Sequence, residues 1–163
     1  MPTTMKVLDN FLDRDDFHRI FETFCGPEGV PWYLSHGVSR EGSPDGFYFI
    51  HQLYIDDKPC SEYLKVLDPL FNLLDPKALI RAKGNLYPQT SEVHGHAFHR
   101  DQDYSHKGCI LYLNTCDGYT GFEDGTVVES VSNRVLLFDS STMHQSTTCT
   151  DDAFRCVINI NYF

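Results

Sequence analysis

The fold is decided by an alternating stretch near the end of the chain, Phe154-Arg155-Cys156-Val157-Ile158-Asn159-Ile160. Side chains of a β-strand point alternately to its two faces, so Cys156, Ile158 and Ile160 share one face. Arg155 and Asn159 then share the opposite face. We predict a strand that buries its apolar face in the core and directs one arginine to the other side.

Short β-rich runs fill the chain from Ala78 onward, separated by clusters of Gly, Asn, Asp and Ser. They span 78–87, 97–101, 109–114, 121–122, 126–129, 134–138, 143–146 and 155–163. Strands at such spacing are typical of a β-sandwich or barrel. This part of the chain is therefore predicted to form a jelly-roll body.

The first part of the chain carries two helical patterns. One begins at a cap formed by Asp13 or Asp15 and ends at Gly26-Pro27, and the second covers 61–74. Strand-like runs at 32–34 and 47–55 lie between them. The whole pattern predicts an α+β fold in which two N-terminal helices back one sheet of the jelly roll.

Length and charge narrow the class of protein. A chain of 163 residues fits one domain over 1–163, with 1–75 as N-terminal helical support and 76–163 as the jelly-roll core. Thirteen Lys and Arg against 23 Asp and Glu give a net charge of −10. Such a charge repels phosphate backbones, so we expect no nucleic-acid partner.

Membrane insertion and secretion are not expected either. No segment approaches the roughly 20 apolar residues of a membrane span, and the first residues lack the apolar stretch of a signal peptide. The six cysteines contain no Cys-x-x-Cys pair. We interpret them as reduced thiols that pack as small apolar residues, which predicts a cytoplasmic protein.

A candidate metal site begins at His99-Arg100-Asp101, within the predicted strand 97–101. Residues two apart on a strand point the same way, so His99 and Asp101 share a face while Arg100 faces away. His144 follows in a later strand. Two histidines and one carboxylate, with open positions opposite, form the ligand set of non-haem Fe(II) oxygenases. The alternatives are a polar cluster satisfied without a metal, or a Mn or Zn site.

Arg155 is a further candidate site residue, and it also points an inward charge from its strand. An inward guanidinium cannot lose its charge, so a buried one needs an anion. A carboxylate cosubstrate held by a bidentate fork would supply that anion. The alternative is a surface ion pair with Asp151 or Asp152.

The stretch from Leu79 to Phe163 resembles the catalytic domain of 2-oxoglutarate- and Fe(II)-dependent dioxygenases, particularly their prolyl hydroxylase branch. Order and spacing both fit, and the resemblance covers a little over half the chain. The sequence is also similar to small oxygenases of marine bacteriophages in 112–125 and 133–138. The matching pieces are Leu86-Tyr87-Pro88, His99-x-Asp101, Ile110-Leu111-Tyr112-Leu113-Asn114, Gly121-Phe122 with Asp124-Gly125, Asn133-Arg134-Val135-Leu136-Leu137-Phe138, His144, and Arg155 with Asn161-Tyr162-Phe163.

This resemblance implies a double-stranded β-helix, a distorted jelly roll, with assigned site residues. The Fe(II) ligands that it implies are His99, Asp101 and His144. Arg155 would bind the distal carboxylate of 2-oxoglutarate, and the Tyr112 hydroxyl would lie beside that carboxylate. Tyr87 would lie near the metal and the cosubstrate.

The implied function is hydroxylation that consumes 2-oxoglutarate and O2, with ascorbate as an optional addition. Prolyl residues of a peptide or protein are the substrate that the resemblance favours. The alternatives are an oxygenase for another amino acid or a small molecule, or a jelly-roll binding protein without turnover. The oligomeric state is left open, although a monomer fits the sequence. A phage origin would place the protein in the host cytoplasm.

Three further features are interpreted with alternatives. His94 and His96 are interpreted as residues of a solvated loop, or as neighbours of the ligands, rather than as ligands. Arg81 and Lys83 alternate on a predicted strand, where they face either a cleft or solvent. The loop 36–46, rich in Gly and Ser, is predicted to be a lid on the substrate side.

Overall fold

The computed structural model describes residues 4–40 and 42–163. The helices are α1 (Arg14–Cys25) and α2 (Asp68–Leu74), and a 3-10 helix (Glu62–Leu67) leads directly into α2. The strands are β1 (Lys6–Leu8), β2 (Tyr33–His36), β3 (Phe47–Ile55), β4 (Lys58–Pro59), β5 (Leu79–Pro88), β6 (Lys107–Tyr112), β7 (Tyr119–Phe122), β8 (Val127–Glu129), β9 (Arg134–Asp139), β10 (His144–Ser146) and β11 (Phe154–Tyr162).

The strands form two antiparallel sheets that pack as a distorted jelly roll. The larger sheet has the order β1-β9-β6-β11-β5-β3-β2, with β4 paired to β3, and the smaller sheet has the order β10-β7-β8. Strand β11 lies in the middle of the larger sheet, between β6 and β5. The predicted α+β jelly roll is therefore confirmed, and the N-terminal part adds strands as well as helices to it.

One hydrophobic core lies between the helices and the outer face of the larger sheet. Ile20 and Phe24 of α1 and Leu70 of α2 are buried there together with Ile158 and Ile160 of β11. The predicted support of one sheet by two helices is thus confirmed. Helix α1 begins where the Asp13 carboxylate accepts a hydrogen bond from the Asp15 amide, 2.9 Å away, because this cap satisfies an amide that has no partner within the helix.

A second core fills the space between the two sheets. Tyr112, Leu136 and Val157 from the larger sheet pack there with Phe122 and Val128 from the smaller one. Val157 and its neighbours Cys156 and Ile158 therefore belong to opposite cores. The alternation of faces predicted for 154–160 is confirmed, and it directs the polar residues of β11 into the space between the sheets.

The predicted helix over 61–74 consists of two helices of different type. Pro69 lacks an amide hydrogen, so it cannot donate the bond to the Lys65 carbonyl that would continue an α-helix. The Asp68 amide donates to that carbonyl instead, three residues back, and the preceding turns are 3-10. Pro69 then occupies the first turn of α2, where no amide hydrogen is needed.

Two short strands were not predicted. Strand β1 pairs with β9 at one edge of the larger sheet, and β4 pairs with β3. The three residues of β1 are all exposed and show no alternation of burial, which explains why periodicity does not reveal the strand. Within the described ranges, no helix has the length and apolar character needed to cross a bilayer. The six cysteines are free thiols, of which Cys109, Cys149 and Cys156 are fully buried.

Candidate metal centre and anion pocket

Three side chains converge as a candidate metal centre. His99, Asp101 and His144 each offer one ligand atom, and these atoms lie within 4.8 Å of one another. Two backbone hydrogen bonds join His99 to His144, from each amide to the other's carbonyl, both at 2.9 Å. The sequence predicted that these three residues lie together, and the structure has the same grouping.

The prediction of a strand over 97–101 is wrong. His99 makes only an isolated bridge to His144, and the residues around it are irregular. The amides of His96, His99 and Asp101 donate to carbonyls of Ser146, His144 and Ser140. The number of residues between successive hydrogen bonds differs between the two paired segments, so no continuous ladder forms. Arg100 is exposed but also lines the pocket beside the cluster, which differs from the predicted outward orientation.

Backbone carbonyls set the tautomer of both histidines. Nδ1 of His99 lies 3.1 Å from the Ala97 carbonyl, and Nδ1 of His144 lies 2.8 Å from the Thr142 carbonyl. A carbonyl only accepts, so each Nδ1 carries the hydrogen and each Nε2 keeps a lone pair for a metal. Burial, together with the neighbouring His144, lowers the pKa of His99 and favours the neutral ligand form.

The carboxylate of Asp101 is held in place by three side chains. Its Oδ2 accepts from the Ser140 hydroxyl at 2.7 Å and from Asn161 Nδ2 at 2.8 Å, and its Oδ1 lies 3.0 Å from Arg81 Nη2. Burial alone would raise the pKa of Asp101, but Arg81 and these hydrogen bonds hold it well below the usual range. Sequence analysis did not assign Ser140 or Asn161. Asn161 shares the inward face of β11 with Arg155 and Asn159, and this alternation is the sequence signal that could have identified it as a site residue.

Arg155 is a buried cation whose counter-ion is missing from the described chain. It is 1% exposed, and its guanidinium donates to Ser130 Oγ at 2.7 Å, Thr120 Oγ1 at 3.2 Å and the Thr147 carbonyl at 3.3 Å. No carboxylate in 4–40 or 42–163 forms an ion pair with it. The alternative of a surface ion pair with Asp151 or Asp152 is therefore wrong, and a buried guanidinium without an ion pair in the described residues favours an anionic ligand.

Two tyrosines flank the guanidinium of Arg155. Its carbon atom lies 5.3 Å from the ring centre of Tyr87 and 5.6 Å from that of Tyr112. Tyr87 lines the pocket, whereas Tyr112 lies behind its wall and donates from its hydroxyl to Thr120 Oγ1 at 2.8 Å. Thr120, rather than the Tyr112 hydroxyl, forms the wall at this point. The contacts of both tyrosines with a cosubstrate stay predictions.

One pocket between the sheets brings the metal cluster and Arg155 together. Its wall includes His99, Asp101, His144 and Arg155. Arg81 and Lys83 also line it, so the open choice between cleft and solvent is decided in favour of the cleft. His94 is exposed, and His96 is buried against the Tyr87 ring with 5.3 Å between ring centres. Neither belongs to the three-residue cluster, although His96 is not part of a solvated loop.

The loop 36–46 borders the pocket through Val38 and Ser39. The amides of these two residues donate to the Asp45 carboxylate at 2.9 and 3.0 Å, and the Ala97 amide donates to it at 3.1 Å. Asp45 therefore joins the loop to the segment that carries His99. Glu41 of this loop lies outside the described residues.

Asp45→Ala is expected to open the loop 36–46 more often. The carboxylate accepts several hydrogen bonds, so its loss should raise the open fraction, and the rate of proteolytic cleavage there, roughly 10- to 100-fold. Limited proteolysis with mass mapping measures this rate. Asp124→Ala is the matched control, because Asp124 accepts a similar amide bond from Thr126 in a different turn. Equal cleavage in both variants would show that Asp45 does not order the loop.

No protein-family model and no curated protein matches this chain. Solved structures are similar over nearly its whole length. A Trichoplax adhaerens prolyl hydroxylase, in complex with a hypoxia inducible factor peptide, has a TM-score of 0.70 and 20% identity over 98% of this chain and 83% of its own. A Pseudomonas putida prolyl-4-hydroxylase has a TM-score of 0.60 and 18% identity over 97% and 91%. The chain has the double-stranded β-helix fold.

A third structure with this fold is HygX from Streptomyces hygroscopicus, with nickel and 2-oxoglutarate bound. It has a TM-score of 0.67 and 12% identity over 99% of this chain and 83% of its own. In the double-stranded β-helix of the present chain, β11 of the larger sheet supplies Arg155, and β10 of the smaller sheet supplies His144. The pocket between the sheets is therefore bounded by a cation on one side and a candidate metal ligand on the other.

Proposed function

We propose that this chain is a 2-oxoglutarate- and O2-dependent Fe(II) hydroxylase. The observation that carries the proposal is one pocket lined both by the two-histidine, one-carboxylate cluster and by a buried cation that forms no ion pair within 4–40 and 42–163. Each feature occurs in proteins of many kinds. Their combination fits a reaction that needs a metal and an anionic cosubstrate side by side.

The donor set fits Fe(II). His99, Asp101 and His144 would hold the ion through two neutral imidazoles and one ionised carboxylate, which is a facial ligand set with positions left open. When bound, the iron supplies O2 activation coupled to oxidative decarboxylation of 2-oxoglutarate to succinate and CO2, with hydroxylation of a substrate C–H bond. The chain contributes the orientation of the ligands, because Ser140, Asn161 and Arg81 fix the carboxylate.

The hydrogen bonds of Arg155 fit a carboxylate. Three of its N–H groups are used, one each on Nε, Nη1 and Nη2. Each terminal nitrogen therefore keeps one N–H, so two donors remain for a carboxylate. This supports Arg155 as the anchor for the distal carboxylate of 2-oxoglutarate, with Tyr87 and Tyr112 on either side.

Prolyl residues of a peptide or protein are the proposed substrate. The proposal rests on the resemblance of the sequence to prolyl hydroxylases, and the peptide bound to the Trichoplax protein supports it by analogy. The loop 36–46 beside the pocket is proposed to close over such a substrate. The optional use of ascorbate, the phage origin and the cytoplasmic location stay predictions from the sequence.

An anaerobic absorption titration tests the cosubstrate and metal together. Fe(II) is added to the apo-protein and 2-oxoglutarate follows. A visible charge-transfer band that requires both additions is the expected result, because the band arises when a 2-oxo acid chelates iron. Iron binding without a band would contradict the use of 2-oxoglutarate and favour a metal protein of another class. Absence of iron binding would favour a jelly-roll binding protein without turnover.

The substrate is tested by succinate formation with matched peptides. Peptides that contain proline, and the same peptides with alanine in its place, are incubated with Fe(II), 2-oxoglutarate and O2. Succinate production above the peptide-free rate, with a peptide mass increase of one oxygen atom, is expected for the proline series only. Equal results in the two series would contradict the prolyl assignment and direct the search to other amino acids and small molecules.

A further inference from the structure

Lys83 is a second basic side chain that lines the pocket. It lies on β5 and donates from Nζ to the Tyr48 hydroxyl at 2.9 Å. Among residues 4–40 and 42–163, no carboxylate lies within ion-pair distance of it. Burial, together with the nearby Arg81, lowers the pKa of Lys83 to about 7. The proposed function uses Arg155 for the distal carboxylate and leaves Lys83 without a role.

The register of two neighbouring strands places Lys83 between Arg155 and the metal cluster. Along β11 and β5 the paired residues are Arg155 with Tyr87, Asn159 with Lys83, and Asn161 with Arg81. Asn161 and Arg81 both contact the Asp101 carboxylate. Lys83 therefore lies much closer along the ladder to the residues that hold Asp101 than Arg155 does, which places it on the metal side of the pocket.

Two buried amides mark the same part of the pocket as a ligand site. The Oδ1 atoms of Asn85 and Asn159 have no hydrogen-bond partner among the described residues, although these two residues are only 4% and 7% exposed. Both line the pocket. Both atoms are acceptors that need donors, which water can supply and a carboxylate cannot, so this stretch suits a polar ligand accompanied by ordered water rather than hydrocarbon.

We propose that Lys83 is a positioning residue that binds the metal-side carboxylate of the 2-oxo acid cosubstrate. This inference rests on the proposed function. The two basic side chains Arg155 and Lys83, neither of which is ion-paired in the described part of the chain, then match the two carboxylates of one dianion. Arg155 holds the distal end, and Lys83 orients the end that chelates the metal. Tyr48 holds the Lys83 ammonium group in place through its hydroxyl.

The test compares two ligands that differ by one carboxylate. The dissociation constants of 2-oxoglutarate and 2-oxopentanoate, which lacks the distal carboxylate, are measured with the Fe(II)-loaded protein from the anaerobic charge-transfer band. Lys83→Met is expected to weaken both ligands by the same factor, roughly 10- to 100-fold, because both keep the carboxylate that Lys83 would bind. Lys83→Arg is expected to restore most of the affinity, and the exposed Lys77→Met is the control that leaves it unchanged.

The outcomes separate this inference from the proposed function. Absence of the band in the unmodified protein would contradict the proposed function itself. A normal band with unchanged affinity for 2-oxoglutarate in Lys83→Met would overturn only the inference and leave Lys83 available to a carboxylate of the primary substrate. Weakening of 2-oxoglutarate but not of 2-oxopentanoate would also overturn it, because Lys83 would then act at the distal end. Lys83→Gln repeats the measurement with a polar side chain should the methionine variant fail to fold.

Discussion

Asp101→Asn is expected to lower the affinity for Fe(II) by at least about 100-fold, since the loss of groups that merely support a ligand already costs up to that much. The asparagine oxygen can keep the hydrogen bonds from Ser140 and Asn161. Its NH2 group then replaces Oδ1, which removes the ligand atom and faces the Arg81 guanidinium. Competition with a chromophoric chelator under anaerobic conditions measures the affinity, and succinate formation should fall to background.

The control for Asp101→Asn is Asp103→Asn. Asp103 is exposed on the same irregular segment and lies outside the three-residue cluster, so its variant should bind Fe(II) as the unmodified protein does. Unchanged iron affinity in Asp101→Asn would show that the metal binds elsewhere. Loss of affinity in both variants would point to a general disturbance of 97–106 rather than to the loss of a ligand.

Arg155→Gln is expected to weaken 2-oxoglutarate binding by about 2–5 kcal/mol, or roughly 30- to several-thousand-fold, because one partner of a buried charge pair is removed. Glutamine has neither the charge nor the fork that Arg155 directs past Ser130 and Thr120. The affinity for Fe(II) itself should not change. The charge-transfer titration measures both quantities in one experiment.

Two comparisons make the Arg155 result specific. Binding of 2-oxopentanoate should be nearly the same with and without Arg155, because that ligand lacks the distal carboxylate. Arg19→Gln removes an exposed arginine from α1 and should affect neither ligand. An equal loss of affinity for both 2-oxo acids in Arg155→Gln would mean that the variant disturbs the pocket as a whole and that Arg155 does not select the distal carboxylate.

The sequence by itself determined the parts of the fold that local periodicity encodes. The alternation in 154–160 correctly separates Ile158, which packs against the helices, from Arg155, which faces the pocket. It succeeds because a central strand is buried on both faces and each residue's face follows from its position. The grouping of His99, Asp101 and His144 was also predicted, from the ligand chemistry of these residue types and from the resemblance to known dioxygenases.

Only the tertiary structure decided which groups surround that cluster. Ser140 and Asn161 meet at the Asp101 carboxylate from different strands, and Lys83 lies opposite Asn159 through the register of β5 and β11. Register depends on how whole strands align, so the sequence of one strand does not reveal which residues of another strand it pairs with. The bridge at His99, which replaced the predicted strand over 97–101, has the same origin. The sequence thus predicted which residues form the candidate site, and the packing of the strands decided which groups hold and surround them.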